Sequence, residues 1–113
     1  MIKHKIDLVP FPFDDFSTTK VRPAVCLTNE IGEYQHVIIA FISSQIPVNP
    51  TASDIVVKQN TSDFAITGLA VNSVIRLHRL VTIPKDLIKR QLGELSTMHQ
   101  QEINSKLKML FEI

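Results

Sequence analysis

Hydrophobic and polar positions follow a period of two through most of the chain before Pro84, the spacing of extended strands with one face buried. "KIDLVPF", Lys5 to Phe11, sets Ile6 and Leu8 on one face and Asp7 and Val9 on the other. Pro10 and Pro12 have no ladder donor, so this strand is expected at a sheet edge or to end there in a bulge. "RPAVCLTN", Arg22 to Asn29, is apolar and carries Pro23 near its start, where a strand tolerates proline. Asn29-Glu30-Ile31-Gly32 predicts a hairpin loop in which Gly32 takes a positive φ. "YQHVIIAFISS", Tyr34 to Ser44, is rich in β-branched residues and apolar on both faces, the signature of a central strand. Gln45 to Ser53 reads as a loop, "DIVVK" as a short strand, "TSDFAITGLAVN" as irregular and "SVIRLHRLVTI" as the last strand.

After Pro84 the period changes. Pro84-Lys85-Asp86 suits a helix start, because proline's missing N–H costs nothing in a first turn. That helix is predicted to reach about Leu92, with Gly93 ending it. Thr97 and Gln100 have capping-box spacing for a second helix. Its Ile103, Leu107, Leu110 and Phe111 fall on one stripe. The fold class is mainly β with a C-terminal helix: five short, mostly antiparallel strands in a small, partly closed β-barrel, which removes exposed edges at this size. Residues 1–113 are read as a single domain.

Composition changes the picture in three places. Hydrophobic residues make up 44% of the 113, a surplus that implies apolar surface covered by a second subunit. The longest apolar run, His36 to Ile42, is far below the ~20 residues of a membrane helix, and no signal-peptide pattern opens the chain. The lone Cys26 cannot form an internal disulfide, which fits a reducing, cytoplasmic setting. A net charge of +1 excludes a grossly basic nucleic-acid coat but leaves room for a local basic site.

Most candidate chemistry is weak. His4, His36, His78 and His99 are scattered without metal-ligand spacing, so no metal is expected. Cys26 lies mid-strand, where a thiol acts as a small hydrophobe. The three glycines are isolated and make no phosphate loop. Asp14-Asp15 suits a turn better than an acid/base pair. What remains gathers at strand ends. Lys20 and Arg22, two apart, point to one side of an extended chain, and Ser43, Ser44 and Gln45 end the central strand. A hairpin centred on Ile31 places Arg22 roughly opposite Ala40, a few residues from Ser43. Two readings of Arg22 stay open: a cation facing a phosphate, or a surface ion pair with Asp14 or Asp15.

"VPFPFDDFSTTKVRPAVCL", "VIIAFISSQIP", "SVIRLHRLVTI" and "IKRQLGELS" together resemble the MazF/PemK family of toxins from bacterial type II toxin–antitoxin modules, in order and spacing over almost the whole chain. The resemblance implies an SH3-like β-barrel with a C-terminal helix, a homodimer, and sequence-preferring cleavage of single-stranded RNA without metal or cofactor. It also implies a cognate antitoxin with an acidic, flexible tail. The family's catalytic arginine, followed by proline, falls on Arg22, and its catalytic threonine falls on Ser43, in "ISSQ" for the family's "ITSQ". The implied reaction is attack of a 2′-hydroxyl on its own phosphate, leaving a 2′,3′-cyclic phosphate and a 5′-hydroxyl. RNA contacts are then expected from Lys20, Ser44, Gln45 and Arg76, and from Ser17, Thr18 and Thr19 in a flap over the site. His4-Lys5 departs from the family's Gly-Asp before the first strand.

Two other classes compete. A non-catalytic module on this fold, such as a degenerate toxin or a CcdB-like gyrase inhibitor, needs for the gyrase case a tryptophan-bearing C-terminal tail; this chain has no tryptophan. A peptide-binding SH3 groove needs several Tyr and Trp, and the chain has one tyrosine.

Overall fold

In the computed structural model the chain is described over residues 2–10 and 20–113. Its elements are β1 (Lys5–Pro10), β2 (Val21–Cys26), β3 (His36–Ser43), β4 (Asp54–Val57), a 3-10 turn at Ala65–Thr67, β5 (Ser73–Pro84), a second turn at Lys85–Leu87, β6 (Arg90–Glu94) and α1 (Thr97–Phe111). The strands form one antiparallel sheet in the order β4-β5-β3-β2-β1-β6.

β3 is an interior strand, and alternation along it feeds two cores. Ala40 and Ile42 join Ile6, Val25, Ile55, Ile75, Leu77 and Ile103 on one face. Val37, Ile39 and Phe41 join Val9, Ala24, Cys26 and Ile83 on the other. A strand buried on both faces has no polar alternation, which is why its sequence reads as a continuous apolar run.

Several expectations change. The segment before Gly93 is not a helix: only Lys85–Leu87 turns, and Arg90–Glu94 is a sixth strand paired with β1. β1 is therefore interior, with a register shift against β6 between Ile6 and Asp7. Pairing to β1 satisfies a row of backbone groups that a helix would have left exposed. Gly93 serves close packing, since a Cβ there would meet the Ile66 carbonyl oxygen at 2.2 Å, and one on Gly68 would meet that of Leu92 at 2.1 Å. The 3-10 turn thus leans on β6 and spans from the β4 side of the sheet to its opposite end, giving the partly closed barrel.

The helix cap is Ser96, one residue earlier than predicted, its Oγ accepting from the His99 N–H at 3.2 Å. Of the apolar stripe, Ile103 is buried and Leu107 packs on the core, while Leu110 and Phe111 are 37% and 55% exposed. Helical period fixes which face is apolar; the extent of sheet beneath it decides how much is covered. The β2–β3 loop also runs longer, with Gly32 at φ 75°, Gln35 at φ 52° and a bridge between Ile31 and His36. The observed pairs Ala24↔Phe41, Val25↔Ala40 and Cys26↔Ile39 replace Arg22 opposite Ala40; continued outward, this register sets Arg22 level with Ser43.

Candidate nucleic-acid interface

The site lies where β2 begins and β3 ends. Pro23 follows Arg22 at the strand mouth, and the antiparallel register carries Arg22 to the level of Ser43. On the other side of β3, β5 pairs regularly from His36↔Pro84 to Ala40↔Leu80, then resumes at Ile42↔Ile75. Residues 76 to 79 therefore stand against Phe41 alone, a wide irregularity of the kind that re-aims side chains beside functional sites. Arg76 and Arg79 consequently share a cavity of about 180 Å³ with Arg22, Phe41, Ile42 and Ser43.

A larger cavity, about 500 Å³, lies on the other side of Arg22. Lys20 and Ser44 bring polar groups to it, while Val21, Ile42, Leu69, Val71 and Leu92 make it largely apolar. Arg22 and Ile42 line both cavities. The two together present an apolar bay beside a cationic hollow.

Hydrogen bonding prepares the hollow for an anion. Ser43 Oγ accepts from the Gln45 backbone N–H at 3.0 Å, which orients the oxygen and leaves its O–H to donate. Arg76 Nε donates to Asp54 Oδ1 at 2.7 Å, and Asp54 Oδ2 accepts from the Thr51 N–H at 2.8 Å. Burial of Asp54 works against its ionised form. The Thr51 hydrogen bonds and the Arg76 guanidinium outweigh that and hold its carboxyl below the ordinary value. Lys106 of α1 donates to the Asp54 carbonyl at 2.7 Å, tying the helix to the strand behind the site.

Of the residues expected from sequence, Arg22, Ser43 and Arg76 meet in the small cavity, and Lys20 and Ser44 line the large one. Gln45 lines neither; its backbone serves Ser43. Ser17, Thr18 and Thr19, and the carboxylates Asp14 and Asp15 considered for Arg22, lie outside the described residues. Arg79 and Asp54 were missed. Arg76 and Arg79, three apart in a strand, break the period of two, and that break was the available sign of a bulge. Among the described residues, no group of three His, Cys, Asp or Glu gathers at metal-binding distance, and no helix is long and apolar enough to cross a membrane.

The family model described as PemK-like, MazF-like toxin of type II toxin–antitoxin system matches residues 4–111. The chain belongs to that family. Its members are known as endoribonucleases. The fold is similar to solved structures of such toxins. The Mycobacterium tuberculosis toxin MazF-mt6 superposes at TM-score 0.73 with 22% identity, covering 96% of this chain and 97% of that one. A mycobacterial endoribonuclease in complex with its cognate antitoxin gives 0.73 at 13% identity, covering 100% and 96%. MazF from Deinococcus radiodurans gives 0.70 at 15%, covering 100% and 97%. No curated protein matches the chain significantly.

Within this MazF-like chain, His4 adopts a backbone conformation that favours glycine. Its φ is 72°, a left-handed conformation that costs a non-glycine residue roughly 1–2 kcal/mol. Two backbone hydrogen bonds hold it there, His4 N–H to the Cys26 carbonyl at 2.7 Å and Leu95 N–H to the His4 carbonyl at 3.1 Å. These bonds fix the turn into β1.

Proposed function

We propose that residues 1–113 form a single cytoplasmic toxin domain that cleaves single-stranded RNA at the Arg22–Ser43 site. The observation that carries this reading is the convergence of Arg22, Ser43, Arg76 and Arg79 on one cavity whose polar side chains are all hydrogen-bond donors or cations. Such a set is matched to a phosphate backbone, with Arg22 and Ser43 at the end where the reacting phosphate would sit.

The reaction is an internal transfer. The 2′-oxygen bonds to phosphorus while the P–O5′ bond breaks; the 2′-hydroxyl loses its proton and the departing 5′-oxygen gains one. The products are a 2′,3′-cyclic phosphate and a 5′-hydroxyl, and no water is consumed. Negative charge builds on the non-bridging oxygens, where Arg22 can hold two at once and the Ser43 O–H can donate to one. Arginine stays protonated and makes a poor base, and among the described residues lining the two cavities there is no imidazole or carboxylate. Charge stabilisation is thus the contribution these residues make. The apolar bay beside Arg22 suits a base, since stacking and burial retain single-stranded RNA. As in the mycobacterial complex, a cognate antitoxin is the expected partner, and exposed apolar side chains such as Met109, Phe111 and Tyr34 fit a chain that pairs as a homodimer.

The test is cleavage of mixed-sequence RNA in EDTA. Wild type should give discrete fragments with cyclic-phosphate ends. Arg22→Ala should lower the rate about 10²–10³-fold, the loss typical for a donor to a developing oxyanion, and Ser43→Ala should cost less. Ser43→Thr should retain or raise activity, since a β-branched side chain holds its hydroxyl in fewer rotamers. Undiminished cleavage by Arg22→Ala would sink the assignment. RNA binding without cleavage by wild type would favour a non-catalytic module.

A further inference from the structure

Resting on the nuclease reading, we propose that the cavity around Arg79 is a second phosphate subsite, holding the phosphate next to the scissile one, with Arg79 as its binding cation and Arg76 as its fixed wall. Arg22 lines both cavities, so a phosphate at Arg22 has an apolar bay on one side and the Arg76–Arg79 hollow on the other. A nucleic-acid strand alternates bases and phosphates, and the two hollows differ in the same way.

The two arginines of β5 are not equivalent. Arg76 is anchored by the buried Asp54 carboxylate at 2.7 Å, which offsets its charge and fixes its position. Among the described residues, no carboxylate lies within ion-pair distance of Arg79, which is exposed at the cavity wall. An uncompensated guanidinium beside a pre-formed hollow is available to an anionic ligand. The bulge opposite Phe41 is what brings it there; regular alternation would put residues three apart on opposite faces.

The subsite is tested by fluorescence anisotropy with a mixed-sequence, 2′-O-methyl RNA hexamer, which binds but cannot be cut, over a range of salt. Each phosphate contact on a single strand contributes about 0.7 to the slope of log K against log salt. Arg79→Gln should lower the slope by about that amount and weaken binding several-fold at low salt. Arg79→Lys should restore the slope, and Lys108→Gln, on α1 and lining neither cavity, should leave it alone. With cleavable RNA the Arg79→Gln loss should fall on KM rather than on the saturated single-turnover rate. An unchanged slope overturns the subsite, as does a loss confined to the saturated rate, which would put Arg79 on the scissile phosphate. If wild type binds the hexamer but cuts no RNA, the nuclease reading fails while the slope still decides the subsite. If it does not bind at low salt, the subsite fails, while cleavage of unmodified RNA still decides the nuclease reading.

Discussion

Two carboxylates, Asp7 and Asp54, both have 3% exposure, yet their surroundings move their pKa values in opposite directions. Asp54, behind the cationic cavity, is held below its ordinary value by the Thr51 hydrogen bonds and Arg76. Asp7, on the opposite core, accepts only the Cys26 thiol, Sγ to Oδ2 at 3.2 Å, among the hydrogen bonds of its side chain in the described residues. Burial there prevails over that contact and over the Lys5 charge, and its carboxyl is pushed up. Desolvation raises both; at Asp54 the hydrogen bonds and the guanidinium outweigh it, and at Asp7 the thiol and Lys5 do not. One carboxylate is kept charged to position an arginine at the site, while the other is a polar atom tolerated in a core.

The same substitution at each position should separate them. Asp54→Asn removes the charge that fixes Arg76 and should cost about 2 kcal/mol, the scale of a hydrogen bond to a charged group. It should also weaken RNA cleavage by loosening one wall of the cavity. Asp7→Asn should change stability by less than about 1 kcal/mol, since an amide oxygen can still accept from the thiol. Chemical denaturation of both variants checks this, and equal losses would erase the contrast.

Acid sharpens it further. A lowered folded pKa means that the Asp54 contribution is complete above its ordinary 3.8 and is lost as pH falls through the folded value. For Asp7 the sign reverses: its contribution is complete below 3.8 and is lost as pH rises through the raised folded value. Melting temperatures against pH should therefore show a steep fall at the acid end in wild type that Asp54→Asn blunts. On acidification wild type should gain stability relative to Asp7→Asn, which lacks that titration.

How far the sequence reaches differs between these regions for a physical reason. β1 to β5 are legible because each buries at least one face, and burial writes itself into alternation or an apolar run. β6 is not, because Arg90, Gln91 and Glu94 are exposed and the strand exists to pair with β1, a tertiary fact without a local signature. Arg22 and Ser43 were found as a pair, although the loop to Gln35 shifted the register that joins them. Arg79 and Asp54 were missed because their placement depends on a bulge and on a partner distant in sequence. Local chemistry marks a site; the register that assembles it is set by turns and bulges that single residues do not reveal.

The last expected effect belongs to the other half of the Asp7 pair, and near neutral pH it is small. Burial, together with the Asp7 hydrogen bond and charge, pushes the Cys26 thiol up from 9.0 to about 12. The folded state therefore keeps the proton that an unfolded chain releases. Its contribution to stability is complete below pH 9.0 and is lost as pH rises toward 12, at no more than about 1.4 kcal/mol per pH unit. Cys26→Ala should flatten the alkaline limb of the stability profile, at a modest cost at neutral pH for the small void. A disulfide reagent at pH 8 should label Cys26 at the rate of structural opening and not at the rate of an accessible thiol, because only the thiolate reacts. Rapid labelling of folded protein would mean that the Asp7–Cys26 core opens readily, and the raised thiol would then have no structural basis.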